Sequence, residues 1–147
     1  MSMTIPTARL AVLARSADPR TMLRRFLAAD AAVTGANGLA YLLASGPLGR
    51  FLGVDSGLLV GLGAFLTAYA AGVALLAGRE RPPTLPVRAV IEVNLAWTVL
   101  SLVALVLWLT PSTAGAVWTL LQAVTVAGFA AVQYLALRAA GDRTDAG

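Results

Sequence analysis

Residues 57–77 read GLLVGLGAFLTAYAAGVALLA, twenty-one consecutive positions without a charged side chain. A hydrocarbon core about 30 Å thick needs roughly 20 mainly apolar residues to be crossed as a helix, so this stretch has the length and polarity of one membrane span. Three more windows qualify: 26–46, FLAADAAVTGANGLAYLLASG; 89–109, AVIEVNLAWTVLSLVALVLWL; and 116–137, AVWTLLQAVTVAGFAAVQYLAL. The window 26–46 is the least apolar and depends most on neighbouring helices. The expected fold is all-α: a transmembrane four-helix bundle forming one domain over 19–140.

Composition agrees. Of 147 residues, 59% are hydrophobic and 12% charged. A soluble domain carries about 25% charged residues, and half of that does not cover a water-facing surface. The chain has no cysteine and no histidine. Disulfides, thiolate nucleophiles and imidazole ligation of zinc, copper or haem are thereby excluded, and the usual general base near neutral pH is missing. No cofactor and no metal site is expected. All eleven basic residues are arginine and the net charge is +4. This is first of all ordinary orientation charge; its functional counterpart is attraction to anionic lipid headgroups.

The breaks between windows carry turn chemistry. Gly46-Pro47 is expected to end the first span, and Asp55 or Ser56 to cap the second. Arg81-Pro82-Pro83 and Pro86 separate the second from the third. Thr110-Pro111 turns the third into the fourth, with Ser112 or Thr113 as cap. The connections are short, so sequential helices should be antiparallel neighbours. Asp18-Pro19 reads as a helix start, which extends span one outward from the membrane. Residues 1–18 form a separate segment, in which 8–15, ARLAVLAR, suits a short surface helix. Residues 141–147 show no apolar pattern and should be a mobile tail. A cleaved leader is the poorer reading of the first window, because Asp30 and Asn37 interrupt it and a long segment precedes it.

Arginine placement sets the expected orientation. Arg9, Arg15, Arg20, Arg24 and Arg25 precede span one; Arg79, Arg81 and Arg88 lie between spans two and three; Arg138 and Arg143 follow span four. Only Arg50 falls on the opposite side. Both termini are therefore expected in the cytoplasm of a bacterial inner membrane, with Trp108 and Trp118 flanking the outer turn.

The polar residues within the spans hold the functional information, because an acid near a bilayer centre costs about 2.5–3.5 kcal/mol on insertion scales. Asp30, Asn37, Arg88, Glu92, Asn94 and Gln133 form the candidate intramembrane cluster. Asp30, Thr34, Asn37 and Tyr41 stack along one face of span one at spacings of four, three and four. Asp30, Glu92, Asn94 and Gln133 share one level. Asn94, Trp97 and Ser101 share a face of span three, while Glu92 is turned about 200° from Asn94. Arg88 stands one turn before Glu92 and is its candidate partner. Asp30 must be met from another helix, by Arg88, Asn94 or Gln133. The structural reading is a hydrogen-bonded register lock; the functional one is a pocket with Asp30 binding a proton or cation. On span two, Gly57, Gly61, Ala64, Ala68 and Gly72 form a small-residue stripe, expected to pack inside the bundle, with a homodimer face as alternative.

Nucleotide, serine-hydrolase and zinc motifs are absent from the sequence, and the arginines do not interleave with aromatics as in a nucleic-acid groove. Leu27-Ala28-Ala29-Asp30, Asn94-Leu95-Ala96-Trp97 with Ser101, Gln122-Ala123, and Gln133-Tyr134 with Arg138 resemble a widespread group of small four-helix bacterial integral membrane proteins. The chain is also similar to DoxX-like proteins in size and helix count. The resemblance spans about residues 20–140 and implies a four-helix fold without a known activity. DoxX-like members are linked to small membrane complexes. Three functions compete. The first is an accessory or structural bundle that contacts lipid, itself or other membrane proteins. The second is a small proton- or cation-coupled transporter using Asp30, similar in outline to the small multidrug resistance proteins but without an aromatic-lined pocket. The third and weakest is a lipid-directed enzyme.

Overall fold

The computed structural model describes residues 18–145, and among these it contains five helices and no strand. They are α1 (Pro19–Leu43), α2 (Ser45–Leu52), α3 (Ser56–Ala77), α4 (Thr84–Leu107) and α5 (Thr113–Asp145). The surface helix expected over 8–15 lies outside the described residues. Four helices, α1, α3, α4 and α5, are long and apolar enough to cross a membrane. Their outer surface suits lipid: Leu43 is 85% exposed and Leu75 76%, and large apolar side chains are exposed along all four of these helices.

Local signals place most of the helix starts. Asp18 caps α1, its Oδ1 accepting from the Arg20 amide, with Pro19 in the first turn. Asp55 caps α3 by accepting from the Leu58 amide at 3.0 Å. The Ser112 hydroxyl accepts from the Gly115 amide at 3.1 Å. Two proline expectations need correction. The first span ends at Ala44, and Pro47 stands third in α2, while Pro86 stands third in α4, which begins at Thr84 rather than at 89. The first four amides of a helix have no intrahelical acceptor, so a proline there removes no bond and opens a helix instead of breaking one. Residues 141–145, expected to belong to a mobile tail, continue α5. That helix has 33 residues, about 50 Å at 1.5 Å per residue, well beyond one bilayer crossing.

The packing order is α3–α1–α5–α4, with α3 and α4 barely meeting. The expectation that every pair of sequential spans is adjacent therefore fails for spans two and three. α1 is central. Along it, Arg24 meets Ala77, Gly38 meets Thr67, Asp30 meets Gln133 and Tyr41 meets Trp118. The main core lies at the arginine-rich end, where Leu23, Leu27, Val73, Val87, Ile91 and Ala130 interlock.

α1 and α3 approach each other closely. A methyl on Gly38 would stand 2.6 Å from Thr67 Oγ1 and 2.8 Å from its amide nitrogen; one on Gly63 would stand 2.8 Å from the Gly38 carbonyl oxygen. Small residues permit this approach, but they are not the expected ones. Gly57, Gly61, Ala64, Ala68 and Gly72 all face outward, and added Cβ atoms at Gly61 and Gly72 would meet nothing within 4 Å. The buried face of α3 mixes sizes instead, as Leu59, Gly63, Leu66, Ala70 and Val73, because α1 supplies both knobs and holes.

At the opposite end the connections are stitched together. The Ser112 amide donates to the Leu52 carbonyl at 3.1 Å and the Ser112 hydroxyl to the Phe51 carbonyl at 2.7 Å. Gly53, with φ 68°, closes α2 in the left-handed conformation. There a side chain would carry both the backbone penalty and a clash with the Ser112 amide nitrogen.

Candidate functional site

Three helices bring their polar side chains to one point. Asp30 on α1 is 1% exposed, Asn94 on α4 3% and Gln133 on α5 0%. Asn94 Nδ2 and Gln133 Nε2 each donate to Asp30 Oδ2 at 2.8 Å, and the Thr34 hydroxyl donates to Asp30 Oδ1 at 3.0 Å. Asn94 Nδ2 also donates to Gln133 Oε1 at 3.2 Å. From α3, the Tyr69 hydroxyl lies 3.1 Å from Asn94 Oδ1 and 3.2 Å from the Val90 carbonyl oxygen. Each spanning helix thus contributes, and no buried side-chain polar atom among the described residues lacks a partner. This is the condition under which polar groups persist in an apolar interior.

Of the six expected cluster residues, Asp30, Asn94 and Gln133 meet. Arg88 and Glu92 are exposed. Their expected ion pair does not form: the single pair within 4.0 Å among the described residues joins Arg143 to Asp18. Glu92 shares the depth of Asn94 but points away from it, as the helical period requires. Asn37 lies along the Asp30 stripe yet is half-buried, has no side-chain hydrogen bond among the described residues, and faces a separate space. Tyr69 went unrecognised. Its signal was available: it is the one long side chain with a polar tip in the part of span two opposite Asp30.

The space that Asn37 faces is a groove of about 330 Å³ between α3 and α4, floored by α1 and α5. The backbones of α3 and α4 stand apart, and aromatic side chains reach across. Phe65 stacks on Tyr69 and on Trp97, each with ring centroids 6.0 Å apart. The rim, Phe65 and Leu100, is exposed, while the floor residues Thr34, Tyr41 and Asn94 are buried. The amides of Asn37 and Gln122 and the hydroxyls of Ser101 and Thr119 line it, with no charged residue. The aromatic-lined pocket that the sequence reading found missing is therefore present. Trp118 belongs to it as well, donating from Nε1 to the Tyr41 hydroxyl at 2.7 Å; Trp108 stays outside it and is 74% exposed.

No family model, no curated protein and no solved structure matches this chain, so its chemistry is argued from these side chains alone.

Proposed function

We propose that this chain is an accessory bundle of the bacterial inner membrane that holds a neutral amphiphile in the groove between α3 and α4. The helices run antiparallel with both termini cytoplasmic, a reading supported by the ten-to-one arginine asymmetry. The carrying observation is the groove itself, with aromatic rings and amides at its walls, no charged residue, and an exposed rim at Phe65 and Leu100. Its volume is about twice that of a cavity known to hold one benzene, about 150 Å³, and sits at the low end for ligand pockets. A helix about 10 Å across does not enter it. A planar or short polar head with its first carbons does, the remaining tail leaving between α3 and α4. Amides and hydroxyls match a carbonyl or hydroxyl head. The Asp30 network braces the groove from behind, and the protein binds without catalysing.

The test is tryptophan quenching in the full chain carrying Trp108→Phe, which leaves Trp97 and Trp118 at the groove. A brominated monoacylglycerol should quench saturably. Ser101→Phe with Ala104→Phe, which fill the groove, should abolish saturation, and Asn37→Leu should weaken binding up to about tenfold, the worth of one hydrogen bond. Quenching that rises linearly and equally in the filled variant would refute the proposal. A second reading has one observation in its favour: Tyr69 and Asn94 belong both to the groove wall and to the Asp30 network. If dodecyltrimethylammonium binds instead, with release of a proton that Asp30→Asn eliminates, the transporter replaces the neutral-ligand bundle.

A further inference from the structure

A second cleft, of about 420 Å³, opens at the arginine-rich end and is lined by Arg20, Arg81, Arg88 and Arg138. The four come from the first turn of α1, the α3–α4 connection, the start of α4 and the late part of α5. Orientation by positive charge requires arginines on one side of the membrane; it does not require them to converge. No carboxylate lines the cleft, and among the described residues none of the four has an acidic oxygen within 4.0 Å. Two other arginines at this end are employed differently: Arg24 donates to the Ala77 carbonyl and Arg143 pairs with Asp18. Arg20 is held in place by donating to Thr144 Oγ1 at 3.2 Å. Thr84, at the first position of α4, also lines the cleft, and that helix start has no side-chain cap. Its free amides and dipole add to the positive field.

The geometry points to a binding site for a phosphate ester, with Arg81, Arg88 and Arg138 as the principal donors. Guanidinium forks match phosphate oxygens in bidentate fashion, and four like charges around one cavity repel until an anion enters. Basic pockets between membrane helices hold phosphate headgroups. The half-apolar wall, with Leu23 and Leu137 beside the arginines, accepts the glycerol and first carbons of a lipid as readily as it accepts a soluble phosphate. The site is independent of the groove, from which it is separated by the main core.

Two matched double variants test it. Arg81→Gln with Arg88→Gln removes two charges from the cleft; Arg25→Gln with Arg79→Gln removes two from the same side outside it. Native mass spectrometry and thermal denaturation of the full chain are run with phosphatidylglycerol, with phosphatidylcholine, and with inorganic phosphate or glycerol 3-phosphate. Wild type and the Arg25/Arg79 variant should bind phosphatidylglycerol over phosphatidylcholine and unfold at a higher temperature with it. The Arg81/Arg88 variant should lose at least about tenfold in affinity, the worth of one charge-assisted bond. Competition by glycerol 3-phosphate at matched concentration assigns the site to a soluble ester, and its absence assigns it to the lipid. Equal losses in the two variants, or no binding of either phosphate source, would overturn the inference.

Discussion

Replacing Asp30 separates bracing from proton chemistry. Asp30→Ala removes the acceptor of three hydrogen bonds. Asn94 Nδ2 keeps a partner in Gln133 Oε1, but Gln133 Nε2 loses its acceptor in a fully buried position. Each orphaned donor costs about 1–3 kcal/mol. Each lost bond within a membrane bundle averages about 0.6 kcal/mol. With the small cavity added, the sum is about 3–5 kcal/mol. Asp30→Asn behaves differently. Its amide oxygen can take the place of Oδ2 and receive both Asn94 and Gln133, while its nitrogen donates to the Thr34 hydroxyl, which then accepts. All three contacts survive in rearranged form, so the loss is about 1 kcal/mol. The assay is reversible unfolding of the full chain by dodecyl sulfate in mixed micelles, followed by tryptophan fluorescence. An Asp30→Ala protein within about 0.5 kcal/mol of wild type, the range of an ordinary surface change, would show that the network does not brace the bundle. An Asp30→Asn protein as damaged as Asp30→Ala would show that the site requires the carboxyl group itself and not the hydrogen bonds it makes.

Gly38→Ala drives a methyl into the Thr67 backbone and should cost about 1–3 kcal/mol as overpacking in the same unfolding assay. Gly61→Ala meets nothing within 4 Å and should be neutral or slightly stabilising through helix propensity; a loss there would mean that the outward stripe is covered. Ser112→Ala removes both the α5 cap and the bond to the Phe51 carbonyl, and should cost about 1 kcal/mol, with faster exchange of the Gly115 amide by hydrogen–deuterium mass spectrometry.

The four long helices were legible because lipid imposes one rule on every lipid-facing position, and the run of uncharged residues at 57–77 states it directly. Caps were legible because Asp18, Asp55 and Ser112 act within three residues of themselves. The meeting of Asp30, Asn94 and Gln133 was legible from depth alone, since buried polar groups must find each other. What failed was the choice of the buried face. The helical period set Glu92 and Asn94 about 200° apart, but it did not say which of the two is buried. The same error chose the stripe Gly57–Gly61 over Gly63. In a helix surrounded by apolar solvent both faces are hydrophobic, so periodicity does not mark the packed side as it does in water. The gap between α3 and α4 was hidden for a related reason: a short connection limits how far apart two helices begin, not whether their faces touch.

The vertical order of these features bears on what the bundle can do. The groove extends over Thr34–Tyr41 of α1 and Trp118–Val126 of α5; the arginine cleft lies over Arg20–Leu23 and Tyr134–Thr144 of the same helices. Between them stand the Asp30–Asn94–Gln133 layer and the interlocked core of Leu27, Val73, Val87, Val90 and Ile91. Each of those side chains is less than a tenth exposed. An ion moving along the bundle axis would need to part that core and strip three donors from Asp30. Both costs fall at one level of the bundle. Side chains that seal a bundle this way cannot also serve as a low-barrier path. Entry into the groove between α3 and α4, and into the cleft from the arginine-rich end, breaks neither layer. The arrangement therefore favours two separate binding sites on a braced bundle over a continuous route across the membrane.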